Sequence, residues 1–125
     1  METRINRLLA TIACLLVMGA AAAQRPPSSS EVSRYAGLLA AAHSGNVDAV
    51  VAQLETSGGV DASDGHGRTA LHVAAYEGHR DVMRALVKAG ANPNALENDR
   101  YDIVTIAAVA NDLPTLLTAL ALGAS

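Results

Sequence analysis

The side chains with the most chemical potential are four histidines and a scatter of carboxylates. His66, His72 and His79 are separated by 6 and 7 residues, with Gly78 between the last two. An i, i+4 pair would set two imidazoles on one helical face for a metal ion. These spacings do not, so no metal site is expected. Nucleophilic chemistry has no better footing. There is no G-x-S-x-G elbow and no glycine-rich phosphate loop leading into a helix. Thr69 stands directly before an apolar run, where its hydroxyl is expected to cap a helix. Glu97 and Asp99 fall on a polar turn, where solvation would keep both as ordinary acids. The chain therefore reads as non-enzymatic, with no catalytic residue and no cofactor.

The elements that must position these residues begin after a segment that is set aside. Arg4 and Arg7 precede an apolar run from Leu8 to Met18, and Ala21-Ala22-Ala23 offers a small-residue cleavage site. Residues 1–23 read as a secretory signal peptide, bacterial in type, which implies a periplasmic or secreted destination. An uncleaved anchor fits less well, because Leu8 to Ala23 is 16 uncharged residues, short of the ~20 that span a bilayer. A lipoprotein cleaved before Cys14 fits poorly too, since the apolar run continues through Leu15, Leu16 and Val17. Cys14 is the single cysteine, so its removal leaves no disulfide, thiolate or thiolate-bound metal. Residues 24–125 keep a net charge of −4. An acidic chain without a basic patch is not expected to bind nucleic acid, and no stable membrane insertion is expected after cleavage.

In 125 residues there is room for one domain, and its composition is unusual. Half the residues are apolar, yet Trp and Phe are absent and only Tyr35, Tyr76 and Tyr101 are aromatic. Small Ala and Leu side chains suit thin, closely stacked helices better than a globule. Residues 24–30 (QRPPSSS) read as a linker, and Ser28 with Glu31 has the spacing of a capping box. From Glu31 onward the chain repeats every 33 residues. The columns are Glu31/Asp64/Glu97, Leu38/Leu71/Val104, Ala41/Ala74/Ala107, Ala42/Ala75/Ala108 and Leu54/Val87/Leu120. Three repeats follow, at 31–63, 64–96 and a shorter 97–125. Gly45, Gly78 and Asn111 are expected to end the first helix of each repeat in a left-handed conformation, and Gly90 and Gly123 the second. Gly58-Gly59 would do the same one residue late in the first repeat. Thr69 and Asp102 are expected N-caps, Ala36 at their position cannot cap, and Pro114 suits the first turn of the last helix behind Asp112.

Thr69-Ala70-Leu71-His72, followed by Ala74, Ala75, Gly78 and His79, resembles the ankyrin repeat, with its T-P-L-H-x-A core and matching period. Only the family's proline is replaced, by Ala70. The resemblance implies an all-α ankyrin-repeat solenoid of about three helix-turn-helix repeats that binds a protein. It implies that His72 ties neighbouring turns together. It also implies a binding face made of turn tips and the exposed side of the first helices. Carried onto this sequence, that face is Tyr35 and His43, then His66, Arg68, Tyr76 and Glu77, then Asp99 and Tyr101, with Ser33, Ser44, Gly65, Asn98, Val109 and Ala110 nearby. Tyr35, Arg68 and Tyr101 share one column and are expected to form an exposed Tyr–Arg–Tyr stripe. The third repeat departs from the pattern, with Arg100 for Gly67, Ile103 for Ala70 and Thr105 for His72, so a looser turn is expected there. No charge occurs from Leu113 to Ser125, where Leu113, Leu116, Leu117, Leu120 and Leu122 cover more of a helix than one buried stripe needs. That excess suggests a self-associating leucine face or a piece of a longer array.

Overall fold

The computed structural model describes residues 24–57 and 59–125. The expected signal peptide, Cys14 and Gly58 lie outside the described residues. Seven helices follow one another, with no strand among the described residues: α1 Ser29–Val32, α2 Gly37–Ser44, α3 Val47–Ser57, α4 Ala70–Glu77, α5 Arg80–Lys88, α6 Ile103–Val109 and α7 Leu113–Ala121. The helices pair as α2/α3, α4/α5 and α6/α7. First helices stack in one row (α2, α4, α6) and second helices in another (α3, α5, α7). This is the all-α repeat fold that the resemblance implied.

Small side chains set the spacing. Ala41, Ala42, Ala74, Ala75 and Ala107 are all buried, and a larger residue at any of them would push adjacent repeats apart and lose dispersion contacts. Leu38 and Leu71 are buried between the rows with Val50, Val82, Met83, Leu86, Ile103 and Ile106. The third repeat closes less completely. Val104 is half-buried, Ala108 is exposed and Leu120 is 49% exposed.

The helix ends are built as their sequences dictate. Thr69 accepts from the His72 amide, and the His72 ring accepts from the Thr69 amide, a reciprocal capping box. Asp102 caps α6 through the Thr105 amide at 2.8 Å, and Asp112 caps α7, with Pro114 in its first turn. Ser28 and Glu31 form the capping box of α1. Ala36 provides no side-chain cap, and α2 opens at Gly37 with φ +58°. Gly45, Gly78 and Asn111 are all left-handed after the first helices. At Gly45 the need is also steric, since a Cβ there would lie 2.8 Å from the His79 ring.

Candidate partner-binding face

Each repeat joins the next through a tight turn, and these turns form the tips of the candidate face. In the second repeat, the Asp64 amide donates to the Arg68 carbonyl and Gly67 N–H to the Asp64 carbonyl, at 3.0 and 3.1 Å. The Asp64 carboxylate accepts from the amides of His66 and Arg68 as well. The third repeat reproduces this pattern, with Glu97 N–H to the Tyr101 carbonyl at 3.1 Å and Arg100 N–H to the Glu97 carbonyl at 2.8 Å. The expected loosening is therefore absent. Arg100 takes the left-handed conformation of Gly67, φ +68°, despite its side chain. The tips also stack on each other. Asn98 N–H donates to the His66 carbonyl at 3.0 Å, and its side chain lies so close that a Cβ on Gly67 would clash with it.

Arg68 is not the exposed centre of a stripe. Its side chain is 1% exposed and engages three other residues. Nε donates to Asp64 Oδ2 at 2.8 Å, and Nη1 donates to the Arg25 carbonyl at 3.0 Å. Nη2 lies 3.0 Å from Glu31 Oε2, off the line of a directed hydrogen bond, so that contact is one of charge. The Tyr35 hydroxyl donates to Asp64 Oδ2 at 2.7 Å. Arg68 and Tyr35 thus meet on a shared carboxylate instead of by cation–π contact. The physical reason is that Glu31 and Asp64, one repeat apart, bracket Arg68, and a buried guanidinium is held only where carboxylates compensate it. The segment read as a linker shares in this contact, with Gln24 and Pro27 half-buried and the Arg25 carbonyl engaged.

The electrostatics follow. Glu31 is held down to about 2, first by the Ser28 amide and then by Arg68. Burial works against ionisation of Asp64, but the hydrogen bonds from Tyr35 and Arg68 outweigh it and its carboxyl sits below the ordinary range. Burial, then the Asp64 carboxylate, pushes the Tyr35 phenol up. Glu97 is 5% exposed, so only Asp99 of that pair is a solvated acid. Burial and the nearby Glu97 likewise push Tyr76 up.

His72 has the tying role that the resemblance implied. Burial lowers its pKa, and the neutral ring then has one consistent proton arrangement. Nε2–H donates to the Ala95 carbonyl at 2.8 Å, leaving Nδ1 to accept from Thr69. His79 reaches back to the first repeat, donating from Nε2 to the His43 carbonyl at 2.9 Å. Thr105, in the third repeat, is too short to span to a next turn and bonds to its own cap, Asp102.

The surface that remains is graded. His66, Glu77 and Asp99 are exposed, while Tyr35, His43, Tyr76 and Tyr101 are half-buried. The Tyr35 and His43 rings meet edge to face at 6.3 Å, and His43 Nε2 lies 3.4 Å from Glu77 Oε1 on the next repeat. His66 faces Glu31. Between the first two tips is a recess of about 370 Å³ lined by Glu31, Arg34, Tyr35, Leu39, Asp64 and His66. Seven of the eight predicted residues are exposed or half-buried, and Arg68 is buried. Glu31 and Asp64 were missed as organisers, although their shared column with Glu97 was the available signal. No group of acidic, histidine or cysteine side chains able to hold a metal occurs among the described residues. No helix among them is long and apolar enough to cross a membrane.

Comparison with known proteins agrees with this architecture. A family model described as "Ankyrin repeats (3 copies)" matches residues 9–97, most of the chain. The matched stretch begins inside the segment read as a signal peptide and ends at the first residue of the third repeat as counted here. The chain is also 42% identical over 64 residues to the mitochondrial glutaminase liver isoform of Rattus norvegicus. That match covers 51% of this chain and 10% of the glutaminase.

Proposed function

The chain belongs to the ankyrin-repeat family, and on that premise we propose that it is an exported, non-enzymatic module that binds a protein across its turn tips and concave helical face. The observation that carries this reading is the stacking of the second and third turn tips, with α1 of the first repeat held against the second through Glu31 and Arg68, and His72 bonded to the Ala95 carbonyl. Such preorganisation spares a binding face the ordering cost of association. Tyr35, Tyr76 and Tyr101 offer large area with few rotors, set among polar groups, the composition typical of interface anchors. The match covers only a tenth of the glutaminase, so no activity of that protein is carried over to this chain.

Export rests on the Arg4/Arg7 start and the Ala21-Ala22-Ala23 site. Intact mass of the exported protein tests it: the expected N-terminus is Gln24, and one at Met1 or at a lipidated Cys14 would contradict it. The binding face is tested by capture from periplasmic extract in parallel with variants. Glu77→Arg and Asp99→Arg should lose the protein that the unmodified chain retains, while Lys88→Glu on the outer row should keep it. Equal retention by all three would contradict the assignment.

A second reading is self-association through the C-terminal leucines. It is favoured by Leu113, Leu117 and Leu120, which are 60%, 57% and 49% exposed.

A further inference from the structure

The outer row of helices distributes its charge unevenly. On α3 the exposed residues Asp48, Val51, Ala52 and Glu55 recur at i, i+3, i+4 and i+7, so one face carries two acids about an apolar centre. On α5 the exposed stripe is Arg80, Arg84 and Lys88. α7 has no charge at all. Between α5 and α7 runs a groove of about 420 Å³, with Arg80 and Arg84 on one bank and Leu113, Leu117 and Ala121 on the other. Arg84 is paired with Asp81 at 2.7 Å, while Arg80 has no ion pair among the described residues.

We propose that two copies of the chain pair through their outer rows, the acidic α3 of each lying in the Arg80/Arg84–Leu113/Leu117 groove of the other. The proposal rests on the self-association reading above and gives it a partner surface. The groove asks for a helix with apolar side chains beside carboxylates, and α3 of this same chain exposes that combination.

The repeat makes the fit reciprocal. Columns 33 residues apart stay level, so Asp48, Asp81 and Pro114 share one height, Val51, Arg84 and Leu117 the next, and Glu55, Lys88 and Ala121 the third. Neighbouring helices lie about 8–10 Å apart. A two-fold axis parallel to the outer helices, between α3 and α5, therefore sets each α3 over the other copy's groove. One operation satisfies both contacts, giving a closed, isologous dimer. Asp48 then lies beside Arg80 at the level of Asp81, whose charge Arg84 already offsets. Val51 meets Leu117, and Glu55 meets Lys88. A face three short helices wide is at the low end for stable interfaces, so micromolar pairing is expected. Asp48, Glu55 and Asp81 disfavour an anionic membrane on this surface.

Sedimentation of the full chain, expressed from residue 1 and purified in the form the cell leaves it, tests the pairing. A concentration-dependent dimer that weakens with salt is expected. Asp48→Lys/Glu55→Lys and Arg80→Glu/Lys88→Glu should each raise the dissociation constant by about tenfold or more, since like charges then face each other. Mixing the two variants should restore dimer to within about threefold of the unmodified chain, because each reversed surface meets its complement. All four positions are exposed, and Glu55→Lys mixed with Lys88→Glu provides a second, milder set. If both variants still dimerise fully while Leu117→Glu does not, leucine association stands and this pairing fails. Failure of the mixture to recover, open-ended assembly, or a monomer that binds phosphatidylserine vesicles would each overturn the proposal. A monomer at every concentration overturns both readings.

Discussion

Replacing Arg68 by Met would remove the charge that the first two repeats share while roughly preserving volume. Its guanidinium is 1% exposed and engages Asp64, Glu31 and the Arg25 carbonyl. Removing one partner of a buried ion pair typically costs 3–5 kcal/mol, because the other charge is left uncompensated. Here the loss should fall lower. Glu31 is 24% exposed, and both carboxylates keep other donors, from Ser28, His66 and Tyr35. We expect about 2–3 kcal/mol, a fall in Tm of about 10–20 °C for a domain of this size. Arg68→Lys should fall between, since one ammonium cannot span two carboxylates and a carbonyl. Thermal and urea melts followed by circular dichroism provide the reading. A change within about 0.5 kcal/mol, the range of ordinary surface substitutions, would refute the buried hub and restore Arg68 to the surface.

Three further outcomes follow from the same geometry. Leu71→Ala should cost about 2–5 kcal/mol, because Leu71 is buried between the rows; a melt shifted by under about 1 kcal/mol would place it outside the core. Arg100→Gly should stabilise by about 0.5–1 kcal/mol, the left-handed cost for an L side chain less the chain entropy of glycine, and an Arg100→Ala variant that gains equally would rule out that cause. Glu31 has a folded-state pKa lowered to about 2 from 4.5, so its contribution is complete above 4.5 and lost as pH falls toward 2. Melting temperature should therefore drop more steeply across that window in the native chain than in Glu31→Gln, and parallel curves would contradict the assigned pairing.

Much of the fold was legible because its determinants are local and recur. The alanine columns, left-handed Gly45, Gly78 and Asn111, and the caps at Thr69, Asp102 and Asp112 each declare themselves within a few residues. Arg68 was misread because burial of a charge is a long-range property. It depends on Glu31 folding back 37 positions earlier in the chain, which periodicity alone does not place. Glu97 was misplaced for a related reason, since a turn-tip carboxylate reads as solvated until the preceding repeat is stacked on it. Arg100 shows the opposite lesson, where an unfavourable residue is carried in a turn that its neighbours over-determine.

Site-specific photo-crosslinking in the producing cell tests the central claim most directly. A photoreactive residue replaces Glu77 or Asp99 on the proposed binding face, and Lys88 on the row of second helices serves as the contrast. The account predicts that Glu77 and Asp99 yield one common adduct with a different protein, while Lys88 yields only an adduct of twice the chain's mass. Adducts with a different protein from Lys88, and none from Glu77 or Asp99, would contradict it.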